Sequence, residues 1–204
     1  MNISNARYFH DRQRHDLALR MIRHEARTRT IRRCTGLSDD RIRRLYKTYL
    51  DAEAVLPIRR RRGKSPRQVA FFTRNAELQF ESSFLANVYA TFGLLRDRRT
   101  TLPEQSSLET GEIFCDAYET HRQLLQSASI SFEHAWFLLQ LLNRGEQLRI
   151  AHCRQCHSDF LHDLINLSHR DCPTCTRSQQ AVKSSRTVRR KAKVEALIAH
   201  AEPP

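Results

Sequence analysis

Thr30-Ile-Arg-Arg-Cys-Thr-Gly-Leu-Ser-Asp-Asp-Arg-Ile-Arg-Arg-Leu-Tyr-Lys-Thr-Tyr49 holds the pattern that decides the fold: two amphipathic segments meeting at a single glycine. Gly36 suits the left-handed conformation that ends a helix. Ser38 follows as an N-cap, and Asp39 and Asp40 complement the positive end of the next helix. Ile42, Leu45, Tyr46 and Tyr49 then share one apolar face. A rotation of about 100° per residue puts Arg43, Arg44 and Lys47 opposite that face, with Arg41 on its flank. Upstream, from Asp16, the residues Leu17, Ala18, Met21 and Ile22 repeat at helical spacing. The stretch therefore predicts a helix, a tight glycine turn and a second helix, a helix-turn-helix candidate. Arg32, where such motifs prefer a small residue, counts against it. The plain alternative for the basic face is solvation; the functional one is arginine reading guanine in the major groove.

Outward from this unit the helical pattern continues. Residues 55–68 break the periodicity with Pro57, Arg59, Arg60, Arg61, Arg62, Gly63 and Pro66, which read as a basic connector suited to phosphate. Leu78, Phe80, Phe84, Leu85, Val88, Tyr89 and Phe92 predict a buried helix over Glu77–Leu95, ended by Gly93 or the 96–101 run. Glu112–Leu125 predicts another, with Ile113, Ala117, Leu124 and Leu125 inward. Ser131 caps a very apolar helix, Phe132–Asn143, stopped by Gly145. The apolar surface around Trp136 is broad enough to suggest an interface. Leu148–Ile150 reads as a short strand. Cys34 and Cys115 read as small buried apolar residues.

Near the C-terminus Cys153, Cys156, Cys172 and Cys175 stand as C-x2-C-x15-C-x2-C. Two such pairs bring four thiolates to the corners of a tetrahedron, as one structural zinc ion requires. Four thiolates also admit an iron–sulfur cluster. The N-terminus lacks the apolar region of a signal peptide, which favours reduced thiols over disulfides. A redox CxxC would stand once in a βαβ setting rather than twice in a basic region. An all-cysteine site leaves no open position for substrate. His152, His157, His162 and His169 lie nearby and could replace a cysteine as ligand, although beside four well-spaced cysteines each reads rather as a surface or supporting residue. Phe160 and Leu164 are expected to pack over the metal.

The chain has 35 Lys and Arg against 22 Asp and Glu, a formal charge of +13, which points to a polyanionic partner. Five glycines and six prolines are too few for a turn-rich sandwich, so helices should dominate. No apolar run approaches the roughly 18–20 residues that span a bilayer. No phosphate-binding loop, nucleophile elbow or metalloprotease motif is present, and the acidic residues are dispersed, so an enzyme such as a nuclease finds no support. The expected architecture is mainly α: a helical body with an N-terminal helix-turn-helix at residues 1–147, a zinc-ribbon-like four-cysteine module at 148–178, and a basic tail at 179–204. Lys183, Arg186, Arg189 and Arg190 of the tail, like Arg59–Arg62, would act through phosphates.

Taken in order, Leu37-Ser38, Arg41-Ile42 and Leu45-Tyr46-Lys47, then Leu56-Pro57, the aromatic helix through Phe84, Asn87 and Tyr89, Ala135-Trp136, and the four cysteines resemble the FlhC family of flagellar transcriptional activator subunits. The similarity runs over roughly residues 13 to 193, and the order of parts is more specific than any one part. It implies a cytoplasmic, non-enzymatic transcription factor that assembles with FlhD into a heterohexamer. That complex would bind and bend double-stranded promoter DNA of flagellar operons and work with RNA polymerase. It also implies that the four cysteines hold zinc. Two departures stand out: the Arg59–Arg62 segment, and His157 where a zinc knuckle commonly has glycine. A general RNA-binding zinc-ribbon protein is the competing expectation; its stacking aromatics are hard to find on these largely buried helix faces.

Overall fold

The computed structural model describes residues 3–52, 61, 63–95, 107–165 and 171–178. In chain order these form α1 (Ile3–Arg23), α2 (Thr28–Thr35), α3 (Asp39–Ala52), a 3-10 turn (Val69–Thr73), α4 (Ala76–Thr91), α5 (Ser107–Leu124), α6 (Phe132–Arg144), β1 (Leu148–His152) and β2 (Asp159–Asp163). A short helical segment follows at 173–178. The protein is mainly helical, with a two-stranded antiparallel sheet beside a C-terminal cysteine cluster.

The glycine turn forms as the sequence predicts. Gly36 closes α2 with φ +69°, its amide bonded to Arg32 O. Ser38 Oγ accepts from Arg41 N at 3.4 Å, and Asp39 and Asp40 occupy the first turn of α3. Ile42 and Tyr46 are buried and Leu45 is half-buried. The segment before Gly36 differs from expectation. The chain breaks at His24–Arg27, with Glu25 at φ +57°, so α1 and α2 are separate helices. Ala26 at that bend is buried, and Tyr46 Oη donates to its carbonyl, locking α3 under the break.

One continuous core gathers Leu17, Met21, Ile22, Ile31, Leu37 and Ile42 from the first three helices with Leu85, Tyr89, Phe114, Phe132 and Leu138 from the next three. Gly111 lets α5 approach α2: a Cβ there would lie 2.8 Å from Cys34 Cβ and 2.9 Å from Leu17 Cδ2. Tyrosine hydroxyls buried in this core find carbonyl acceptors, Tyr89 on Ala135 O at 2.8 Å and Tyr118 on Ile130 O at 3.2 Å.

Two buried carboxylates tie elements together. Glu81 accepts from Ser129 N, Ser129 Oγ and Ile130 N at 2.7–2.8 Å, pinning the loop that leads into α6. Glu133, only 4 % exposed, accepts from Arg27 N at 2.8 Å and Thr30 Oγ1 at 3.1 Å. The residue that starts α2, Arg27, supplies no side-chain cap of its own. A carboxylate from α6 thus serves the α2 N-terminus, where backbone donors would otherwise be orphaned.

Several inward assignments fail. Phe80 is 56 % exposed and Leu124 66 % exposed, because both fall on the outer faces of their helices. Ala117 is inward on α5 as predicted and Ile113 packs half-buried against the core, but Phe114, Cys115, Tyr118 and His121 make the rest of the buried side, and the helix starts at Ser107 rather than Glu112. Trp136 is largely buried, packed edge-on to Phe114 at 4.9 Å, with its remaining surface in a recess lined also by Phe137 and Leu141. Ser131, Gly145 and Gly93 do bound their helices as predicted. Cys34 and Cys115 are buried thiols pushed up by desolvation, Cys34 to about 12.

Candidate metal centre and nucleic-acid interface

The cysteine site begins with the hairpin. Leu148 and Asp163 pair at one end of the register and His152 and Asp159 at the other, leaving residues 153–158 as the turn. Within it Cys153 N donates to Ser158 O and His157 N donates to Cys153 O. This closure bends the chain sharply, and His157 takes φ +58°, the left-handed state for which glycine is the usual choice. Cys172 and Cys175 approach from the other side, Cys175 on the helical segment at 173–178.

All four Sγ atoms lie within 4.8 Å of one another, and Cys156 and Cys172 are 3.6 Å apart. A bonded disulfide would need about 2.05 Å, and all the cysteines are free. A tetrahedron with zinc–sulfur bonds of about 2.3 Å has edges near 3.8 Å. The donor set and its spread therefore fit one tetrahedral ion, and these residues could hold it with no ligand position to spare.

The four sulfurs sit in different electrostatic settings, and backbone donors favour the thiolate most clearly at Cys153. Burial pushes the Cys153 thiol up, but amide donors from Cys156, Cys172 and Gln155 outweigh it and bring it to about 6. Cys172 N stands 3.3 Å from Cys153 Sγ and Cys175 N 3.5 Å from Cys172 Sγ. Cys156 is lowered first by the Ser158 hydroxyl. Cys172 is raised by burial, and Cys175 to about 12 by hydrogen bonding to Cys172. Such amide-to-sulfur bonds orient thiolates for a cation.

Phe160 packs on Cys153 and Cys172 as expected. Leu164 does not join them; Ala151 does, because the strand register places it across from Phe160. His152 is exposed and engaged by Asp159, His157 is exposed, and His162 is half-buried; none joins the four-sulfur group. The hairpin is anchored to the body. Leu148 and Leu161 enter the main core, Leu161 N donates to Ser83 Oγ at 2.9 Å, and Gln79 Nε2 donates to Leu161 O at 3.0 Å.

The basic residues distribute unevenly. Arg41, Arg43, Arg44 and Lys47 are all exposed on α3. Arg43 is partly committed to Asp40 at 2.9 Å, whereas Arg41, Arg44 and Lys47 carry no ion pair among the described residues. Arg61 pairs with Glu25 at 2.8 Å, tying the basic connector to the α1–α2 bend. Arg59, Arg60, Arg62, Lys183, Arg186, Arg189 and Arg190 lie outside the described residues, as do His169 and the 179–204 tail. Sequence reasoning missed a second basic group. Arg29 and Arg33, one turn apart on α2, meet Arg67 and Arg144 around a cavity of about 340 Å³. Their i, i+4 spacing was the available signal.

The architecture is that of a helical scaffold with exposed basic residues and a C-terminal four-cysteine cluster that could hold a metal ion. The model of the family described as the flagellar transcriptional activator (FlhC) matches residues 4–188, and the chain belongs to that family. It is a family of transcriptional activators, not of enzymes. A comparison with curated proteins finds no match. Among the described residues no helix is long and apolar enough to cross a membrane.

Proposed function

We propose that this chain is a zinc-containing, DNA-binding subunit that acts with FlhD, in a heterohexamer, to activate promoters of flagellar operons. The observation that carries the reading is the family match across residues 4–188. Cytoplasmic location and contact with RNA polymerase follow from that role. Cys153, Cys156, Cys172 and Cys175 hold one structural zinc ion, whose chemistry is to fix the hairpin and the 173–178 segment in one arrangement. The α2–Gly36–α3 unit serves as the helix-turn-helix. Arg41, Arg43, Arg44 and Lys47 face the duplex from α3, while Arg59–Arg62, Lys183, Arg186, Arg189 and Arg190 hold phosphates. The helical body, the cysteine module at 148–178 and the tail at 179–204 are the working divisions of the chain.

Metal content measured on the chain co-purified with FlhD tests the site and the partner together. The expected result is about one zinc per chain, as for a single four-cysteine site, and a stable complex. Affinity for promoter duplex, random duplex and RNA is then compared over a salt series. Promoter preference supports the proposal. Equal affinity for all three, or tighter RNA binding, would return the chain to a general nucleic-acid-binding class.

A further inference from the structure

We infer that the recess between α2 and α6 is a phosphate-binding site that grips the backbone of duplex DNA beside the α3 face. This rests on the DNA-binding reading above. The recess is lined by Arg29 and Arg33 of α2, Arg67 from the segment before the 3-10 turn, and Arg144 from the last turn of α6. Trp136 forms part of its floor, and Glu133 is the one carboxylate in its lining.

Charge is what distinguishes this place. On much of the described surface the arginines are neutralised: Arg12, Arg14, Arg20, Arg32, Arg43, Arg61 and Arg177 each meet a carboxylate. Arg29, Arg33 and Arg67 meet none among the described residues. Glu133 brings a single negative charge that is already shared with the Arg27 guanidinium at 3.9 Å, so it does not balance three further arginines. Arg29, Arg33 and Arg67 thus line one concavity with no carboxylate partner of their own among the described residues, a positive site that an anion would neutralise. Guanidinium forks match phosphate bidentately, as they do carboxylate, and the DNA-binding reading selects phosphate.

The choice of duplex backbone over a free phosphate comes from continuity. Arg29 and Arg33 sit on α2, which leads through Gly36 directly into α3, where Arg41, Arg44 and Lys47 are likewise exposed and unpaired among the described residues. In helix-turn-helix docking the first helix crosses the backbone while the second enters the groove. A phosphate clamp on α2 would therefore fix the register of α3 without reading sequence.

The test uses the full chain complexed with FlhD and measures duplex affinity over a salt series for wild type, Arg29→Gln/Arg33→Gln/Arg67→Gln and the matching triple lysine variant. Every phosphate that is no longer neutralised lowers the slope of log affinity against log salt by about 0.9. The glutamine variant should lose about 2 to 3 from the slope and weaken on promoter and random duplex alike; the lysine variant should keep most of the slope. An unchanged slope in the glutamine variant, with wild type binding duplex normally, overturns the inference alone. Equal losses in both triple variants, with matching losses of thermal stability, overturn it as a folding effect. Arginine-dependent calorimetric binding of inorganic pyrophosphate, with duplex binding untouched by the glutamine variant, overturns the duplex assignment in favour of a soluble phosphate. No duplex binding by wild type at any salt removes the DNA reading and the inference with it.

Discussion

Replacing Glu133 should show that the α2–α3 unit is held in place from α6. The carboxylate is nearly inaccessible, and its partners are Arg27 N at 2.8 Å, Thr30 Oγ1 at 3.1 Å and the Arg27 guanidinium at 3.9 Å. Glu133→Gln keeps the volume and can keep the bond from Arg27 N. Its amide nitrogen must face Thr30 Oγ1 and the Arg27 guanidinium, a donor against a cation. Charge-assisted bonds are worth about 1.5–3 kcal/mol each and neutral ones about 1, so the glutamine variant should cost about 2–3 kcal/mol. Glu133→Ala removes both carboxylate oxygens and leaves the Arg27 guanidinium without this counter-ion, although Arg27 Nη1 still donates to Gly63 O, so about 3 kcal/mol or more is expected. Urea unfolding of the full chain measures both. Because Arg27 contributes no side-chain cap to α2, amide exchange in Thr30 and Ile31 should accelerate more than in α4. A glutamine variant within about 0.5 kcal/mol of wild type, the range of ordinary surface changes, would refute the trans-capping argument.

The remaining expectations are smaller in scope. Cys156→Ser should abolish stoichiometric zinc binding and release the hairpin turn, detected by metal analysis and by protease cutting within residues 150–178; full zinc retention would show that the four sulfurs are not the ligand set. Gly111→Ala gains about 1 kcal/mol of helix propensity but drives a Cβ to 2.8 Å from Cys34 Cβ. That atom is fixed to the α2 backbone, and overpacking costs about 1–3 kcal/mol or more, so the urea midpoint should fall; a rise would mean the helices are not so close. Glu119, whose carboxyl is held at about 2, chiefly by Arg20 at 2.6–2.8 Å and then by His24, favours the native state above its ordinary value near 4.5. That contribution is lost as pH falls from there through about 2. Because the side chain is a third exposed, about 1–2 kcal/mol is expected after screening. Glu119→Gln should flatten the acid limb of a stability–pH profile, and an unchanged limb would assign acid sensitivity elsewhere.

What was legible in the sequence, and what was not, divides along a physical line. Gly36, Ser38, Ser131 and Gly145 act through their own neighbours, so their roles were readable from spacing, and each stands at the boundary it implied. The four cysteines were readable for the same reason: each CxxC is a local turn, and only the meeting of the two pairs is tertiary. Phe80 and Leu124 misled because apolar character alone says nothing about which of two flanks a neighbouring helix will cover. Glu81 and Glu133 were invisible for a deeper reason. An acidic residue inside an apolar pattern reads as a surface position, and becomes intelligible only when orphaned backbone donors from distant segments arrive beside it. The Arg29–Arg33–Arg67–Arg144 recess lies between these cases. Half of it follows from helical spacing on α2, while the rest depends on where α6 ends and where the chain crosses before the 3-10 turn. The same α6 supplies Glu133 to the start of α2 and Arg144 to the recess. The loss of stability in a Glu133 variant should therefore travel with a loss of duplex affinity that Gly111→Ala, acting on α5, reproduces only in proportion to unfolding.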